Sequence, residues 1–381
     1  MQSHASRHVV SDYLKDLHPD LSEPFPTEVI SDEVAEAHGR RAIPKLIAVL
    51  ALDELPDDKR AHALRVFNGL LSTQEHKTNA VAEGAAAPLC RLVSQCRDEE
   101  VRRLACSALA SLAQVMAGRK GIVAVGGLAV LTEALQTTPE QAAGALRSFA
   151  ASNDGNALLN EARSSVVPAL VGLLDQPCDP AFTLAAFENA VATLEGMTRT
   201  DDGVLAALDA DVPRCLVATA RRGLTGDLRF EARLMDTLQL VAMGLEQICH
   251  HAQGKTACRE AEAHKVLADM LTLHHRETIK HAAAALAGLA VEKESKVNVM
   301  LFAGVSLVRL MRGQDAELAS NARDCMAAAA EHLEARRTAE MLLSMEEREL
   351  LLWKGPPPET PPDYRYHVEL PKFKPGDARP E

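Results

Sequence analysis

Apolar residues recur at three- and four-residue spacing through Ala- and Leu-rich runs such as Glu100 to Val115 and Thr278 to Val291, with no strand-like alternation. That period predicts helices with one buried face. Inside these runs a shorter pattern repeats: a large apolar residue, any residue, Gly or Ser, then a large apolar residue. It stands as Phe67-Asn68-Gly69-Leu70, Leu109-Ala110-Ser111-Leu112, Leu146-Arg147-Ser148-Phe149, Leu194-Glu195-Gly196-Met197, a degenerate Ala242-Met243-Gly244-Leu245, and Leu286-Ala287-Gly288-Leu289. The Gly/Ser positions 69, 111, 148, 196, 244 and 288 lie 42, 37, 48, 48 and 44 residues apart. A period of about 40 to 47 residues is that of a helical solenoid, in which each unit buries its apolar face only against its neighbours.

A second signature follows most copies. It reads Ala42-Ile43-Pro44-Lys45-Leu46, Gly84-Ala85-Ala86-Ala87-Pro88-Leu89, Gly126-Gly127-Leu128-Ala129-Val130-Leu131, Val166-Val167-Pro168-Ala169-Leu170 and Asp211-Val212-Pro213-Arg214-Cys215, with weaker forms around Leu267 and Val308. Gly ends one helix in a left-handed cap, and Pro suits the first turn of the next, which needs no backbone N–H bond. The motif pair resembles the armadillo repeat, with its Gly-Gly-Ile-Pro-x-Leu-like helix start and Leu-x-Asn-Leu-like third helix; a HEAT array is the near alternative. The resemblance implies an all-α solenoid of armadillo/HEAT type, a right-handed superhelix of about seven three-helix units over residues 38 to 340.

Composition narrows the function classes. An unbroken repeat pattern over 381 residues argues for one elongated body rather than several domains. The longest apolar stretches, such as Ala282 to Val291, fall short of the roughly 20 residues a membrane helix needs. Met1 to Asp20 lacks a basic-then-apolar export pattern, so an intracellular protein is expected. Cys90, Cys96, Cys106, Cys178, Cys215, Cys249, Cys258 and Cys325 are scattered without a Cys-x-x-Cys pair and read as reduced core thiols. A net charge of -12 argues against nucleic acid, whose binding rests on Lys and Arg. The pairs Arg40-Arg41, Arg102-Arg103, Arg221-Arg222 and Arg336-Arg337 either line up as a basic ridge or mark ordinary solvated helix ends.

No stretch carries convincing chemistry. Gly254-Lys255-Thr256 ends like a phosphate-binding loop, but the Gly required five residues earlier is Cys249 and no strand precedes it. The doublets His250-His251 and His274-His275 place adjacent rings about 100° apart on a helix, a poor arrangement for one metal ion. No enzyme activity, catalytic residue, cofactor, metal or small-molecule substrate is therefore expected.

Binding is the expected use of such an array, whose third helices line a long concave surface. In nuclear-import adaptors of the armadillo family that surface carries Trp and, four residues later, Asn, repeat after repeat. The corresponding pairs here are Arg65 with Gly69, Ser107 with Ser111, Gly144 with Ser148, Ala192 with Gly196, Leu240 with Gly244, and Ala284 with Gly288. No Trp–Asn ladder exists, so an import-receptor role is not expected. The small residues either form a shallow floor that accepts a close-approaching helix or neighbouring subunit, or serve internal packing. On the first reading Arg65, Gly69, Ser107, Ser111, Ser148, Gly196, Gly244 and Gly288 contact a partner.

The expected organisation is an N-terminal cap over residues 1–36, the solenoid over 37–340, a terminal helix end over 341–354 and a Pro-rich extended tail over 355–381. Tyr13, Leu14, Leu17 and Phe25 are placed to cover the first unit. A long helical segment is expected from Glu317 to Trp353. After it come eight prolines between Pro356 and Pro380, which favour extended chain. Trp353, Tyr364, Tyr366 and Phe373 cluster there, although the chain has only 8 Phe, 3 Tyr and 1 Trp. They point to a tail that docks on a partner or folds back on the solenoid, against the alternative of a disordered end.

The entry His38-Gly39-Arg40-Arg41-Ala42-Ile43-Pro44-Lys45-Leu46, the run Gly118-Arg119-Lys120-Gly121-Ile122 and the seven-unit length resemble the armadillo-repeat radial spoke proteins of motile cilia and flagella. That resemblance implies a non-catalytic scaffold in the spoke stalk, located in the cytoskeleton of the axoneme, with other radial spoke subunits as partners. A soluble cytoplasmic armadillo adaptor for cargo, chaperone or ubiquitin machinery is the competing expectation.

Overall fold

The computed structural model describes residues 41–176, 184–226 and 233–351. All regular structure among them is helical. The first unit contributes α1 (Ala42–Leu50) and the long α2 (Asp57–Leu70). Complete units follow: α3 (Gln74–Ala82), α4 (Ala86–Gln95) and α5 (Glu99–Ala113); then α6 (Met116–Ala124), α7 (Gly127–Ala134) and α8 (Pro139–Ala150). The fourth holds α9 (Asn153–Glu161), α10 (Arg163–Leu174) and α11 (Leu184–Met197), and the fifth α12 (Asp201–Asp209), α13 (Val212–Leu224) and α14 (Leu234–His250). The sixth has α15 (Ala252–Glu260), α16 (Ala263–Met270) and α17 (Arg276–Leu289), and the seventh only α18 (Lys293–Met311) and α19 (Ala316–Ala329). α20 (Leu333–Leu342) and α21 (Met345–Leu351) close the described chain.

Third helices α2, α5, α8, α11, α14, α17 and α19 stack side by side, and first and second helices form parallel rows behind them. One apolar core runs unbroken from Ala42 to Leu343, anchored by fully buried Phe67, Phe149 and Phe187. Such a spine stabilises the array because each Leu, Val or Phe withdrawn from water contributes roughly 1.5–3 kcal/mol, and no unit has an apolar core it could close alone.

Two kinds of corner set the repeat. Between third and first helix, the residue six positions after the last third-helix apolar residue comes hard against that residue's carbonyl. Gly118, Gly155, Gly203 and Gly254 occupy it, and a Cβ there would overlap the carbonyl oxygens of Leu112, Phe149, Met197 and Ile248. In the first unit's corner His76 fills the place and its Nδ1 hydrogen-bonds the Leu70 carbonyl at 2.8 Å. Thr73, Ser152 and Thr200 cap the first helices from their side-chain oxygens.

Between first and second helix, the chain turns through one left-handed residue: Gly84 (φ 77°), Gly126 (φ 74°), Asp211 (φ 54°) and Glu262 (φ 60°). The fourth unit turns instead through Ala162 at φ -98°, and the seventh departs further. Matching buried Ala303 and Leu307 to Gly127 and Leu131 puts Phe302 at the left-handed place. An aromatic residue is strongly disfavoured there, and the two expected helices continue as the single 19-residue α18.

The long helix expected from Glu317 to Trp353 is corrected to three pieces. α19 ends at Ala329, the corner place is taken by fully buried Ala335, and α20 turns back to stack on α18. α21 starts at a reciprocal capping box in which the Ser344 hydroxyl accepts from the Glu347 N–H and Glu347 Oε2 accepts from the Ser344 N–H. The caps and tails expected over 1–36 and 355–381, with Tyr13, Leu14, Leu17, Phe25, Trp353, Tyr364, Tyr366 and Phe373, lie outside the described residues.

Candidate interaction face

The row of third helices forms a continuous surface, and several of its charged residues pair across the junctions between units. Arg65 of α2 meets Glu100 of α5 at 2.9 Å. Arg147 of α8 meets Glu188 of α11 at 2.8 Å, and Arg233 before α14 approaches the same carboxylate at 3.8 Å. His281 Nδ1 of α17 hydrogen-bonds Glu246 of α14 at 2.7 Å, and Arg276 reaches Asp315 and Glu317 at 2.6 Å each. These contacts keep the Asp315 and Glu317 carboxyls below their ordinary range, Asp315 chiefly through Arg276 and Glu317 chiefly through Lys280.

The first-helix side is tied in the same way. Arg119 is 6% exposed, donates to both carboxylate oxygens of Asp154 (Nη2 to Oδ2, 2.7 Å) and caps the Ala113 carbonyl with Nη1 at 2.7 Å. Its hydrogen bonds hold the Asp154 carboxyl below the usual range. His251 meets Asp201 at 2.9 Å, Arg259 meets Glu292 at 3.2 Å, and Lys296 pairs with Glu331. Between the second and third units Lys77 donates to Gln114 at 2.5 Å. Exposed pairs contribute at most about 1 kcal/mol each, so their effect is register and stiffness; the buried Arg119 is different, because a stripped partner there leaves an uncompensated charge.

Arg65 and Gly69 are exposed on α2, and Ser107, Ser111 and Ser148 are half-buried on α5 and α8. The Ser107 and Ser148 hydroxyls donate to the carbonyls one turn back, at 3.1 and 3.0 Å. Gly196 and Gly244 are buried and do not form an open floor. A Cβ at Gly196 would lie 2.8 Å from the Ala150 Cβ, and one at Gly244 3.2 Å from Leu216 Cδ1. Gly288 is half-buried, with Cys249 Cβ 3.1 Å from the same construction. Gly196 and Gly244 are thus packed inside the array, while Arg65, Gly69, Ser107, Ser111, Ser148 and Gly288 keep exposed surface.

The other candidate features resolve into architecture. Gly254 is a corner glycine inside α15, Lys255 Nζ donates to the His250 carbonyl at 3.3 Å and Thr256 donates to Glu292 at 2.9 Å. His275 caps α17 by accepting from the Thr278 N–H. Five described members of the basic pairs are engaged locally: Arg103 faces Glu100, Arg221 faces Glu262, Arg336 faces Glu340, and Arg102 and Arg222 bond the carbonyls of Cys96 and Leu174, while Arg40 lies outside the described residues. Among the described residues no three His, Cys, Asp or Glu side chains converge on a possible metal position, and no single helix is long and apolar enough to cross a membrane. Six of the seven described cysteines are buried, and burial pushes the Cys90 and Cys106 thiols to about 11 and those of Cys215 and Cys325 to about 12.

Set against solved structures, the chain aligns with a designed armadillo repeat protein in complex with the peptide (KR)4, at 21% identity and a TM-score of 0.54 over 65% of this chain and 99% of that one. The fold is an armadillo-type α-solenoid. Two engineered proteins align as well, one at 22% identity and a TM-score of 0.52 over 81% of this chain and 83% of that one, the other at 25% and 0.53 over 65% and 96%. No family model and no curated protein matches the chain.

Proposed function

We propose that this solenoid is a non-catalytic structural subunit of the radial spoke stalk in the axoneme of motile cilia and flagella, holding other spoke proteins in place. The observation that carries a scaffold role is the tying of the units: charged or polar side chains bridge successive modules on both the first-helix and third-helix rows. A stack bridged in this way keeps its geometry under load. The designed armadillo neighbour was solved with a lysine–arginine peptide, but here Arg65, Arg147, Arg276 and Lys280 already neutralise the carboxylates of the third-helix row. An extended basic chain meets several carboxylates already paired there and no Trp–Asn ladder, which favours folded protein partners.

The axonemal address is supported by the resemblance carried on residues 38–46 and 118–122 and by the count of seven third helices. Of those residues, Gly118 and Arg119 are architectural, forming a corner and the bridge to Asp154.

Fractionation of motile ciliated cells expressing the tagged chain tests the reading. Co-sedimentation with axonemes, release by high salt and recovery in a defined complex are expected. Recovery only from soluble cytosol would overturn the axonemal reading and favour an adaptor for cargo, chaperone or ubiquitin machinery.

A further inference from the structure

The outer edge of the seventh unit carries more large exposed apolar side chains than the equivalent edges, of which the third unit offers Val125 at 42% exposure. Leu301, Phe302 and Val305 stand 66%, 45% and 71% exposed on α18. The structurally equivalent places are Glu83, Gly84 and Ala87 in the second unit, Ala210, Asp211 and Arg214 in the fifth, and Ala261, Glu262 and Lys265 in the sixth. Phe302 is propped by the His264 ring at 5.2 Å and the Lys265 ammonium at 5.5 Å from its centroid. Beside this ridge a groove of about 340 Å³ is lined by Val305, Val308, Arg309, Arg312 and Leu342. Met341, next to Leu342 in α20, and Met345, at the start of α21, are also exposed, at 69% and 70%. A contiguous patch of this kind on one edge marks an interaction surface.

We propose that this groove is the docking site of the chain's own Pro-rich segment from Gly355 to Phe373, with Tyr364 and Tyr366 seated against Val305 and Leu342. Position is the first reason. α21 is fastened to the groove rim near its start by Arg312, which bonds Glu347 at 2.7 Å and the Leu342 carbonyl at 3.4 Å, so the helix ends at Leu351 only one turn, about 6 Å, beyond that contact. Reach is the second. Thirteen residue steps lead from Leu351 to Tyr364 and span up to about 45 Å, more than the roughly 28 Å length of α18.

Chemistry is the third. The thirty residues after Leu351 hold Trp353, Tyr364, Tyr366 and Phe373, four of the chain's twelve Phe, Trp and Tyr residues, among eight prolines. Pro-rich extended chain docks in apolar grooves with little ordering cost, and its aromatics gain by leaving water. Arg309 bonds a carbonyl, that of Leu271, and faces the groove, while Asp363 precedes Tyr364. Tethering favours this occupant over a second copy, because a short flexible link supplies an effective concentration in the millimolar range.

The test places the photo-cross-linker p-benzoylphenylalanine at position 364 of the full chain, irradiates it at about 1 µM, well below the tethered concentration, and maps the products. Cross-links within the monomer to α18 or α20 are expected, and Val305→Glu is expected to cut their yield at least fivefold. Val305 faces solvent, so an unchanged thermal melt of that variant separates lost docking from lost folding. Cross-links found only in a covalent dimer, directed to other units, indifferent to Val305→Glu, or absent would each overturn the proposal.

Discussion

Glycine has opposite effects at two equivalent positions of the repeat, and the difference is purely one of neighbours. At Gly69, on the exposed face of α2, a methyl group would meet nothing within 4 Å; at Gly196 it would strike Ala150. Gly69→Ala is therefore expected to raise stability by about 0.5–1 kcal/mol through helix propensity and reduced chain entropy. Gly196→Ala is expected to lower it by about 1–3 kcal/mol through overpacking; denaturant unfolding of both variants reads the contrast. A second residue-level expectation concerns Glu347, whose carboxyl is held down from the ordinary 4.5 to about 2, first by Arg312 and then by the Ser344 N–H. A depressed carboxyl stabilises the folded chain above pH 4.5 and loses that contribution as pH falls toward 2. Carbon-13 titration of Glu347 should show its midpoint moving up toward 4.5 in Arg312→Met, with the acid limb of the unfolding curve shifting to higher pH.

Helices in this chain are set by corners more than by propensity. Where the first-to-second helix corner is left-handed, Gly84 and Gly126 adopt it freely, whereas Glu262 holds φ 60° with a side chain attached. Glu262→Gly is expected to stabilise the sixth unit by about 1 kcal/mol, less the small loss of its contacts to Lys265 and Arg221, measurable as a raised melting temperature. The periodic third helices were legible in the sequence because Leu-x-Gly-Leu-type motifs report burial directly. The α18 fusion went unread, because a second-helix start was expected around Val308, and so did the Ser344-x-x-Glu347 capping box, which lies inside the segment expected as one helix from Glu317 to Trp353. Less visible was the third-to-first corner: its glycines at 118, 155, 203 and 254 form a series, but His76, Ser295 and Ala335 take the same place elsewhere and blur it. Gly254 looked like part of a phosphate loop for that reason. The interaction face was the least legible, because Gly196 and Gly244 are equivalent to Gly69 in sequence and differ only in what the preceding or neighbouring helix puts beside them.

At the scale of the whole molecule, every helix packs against its own unit and the adjacent ones, and the apolar core is a line rather than a centre. Stability is then a sum over units and junctions, and damage to one junction opens the array there without dissolving both halves. The same geometry makes the protein a spacer: third helices set about 8–10 Å apart carry the first and seventh units roughly 50 Å from each other. The measurement that tests this most directly is a distance between spin labels introduced at exposed Arg65 on α2 and Asp324 on α19, read by double electron–electron resonance in the full chain. A single distribution near about 50 Å is predicted from six helix-to-helix steps. A distribution centred below about 30 Å, the scale of a compact domain folded around one central core, would contradict the stacked array and every functional statement built on it.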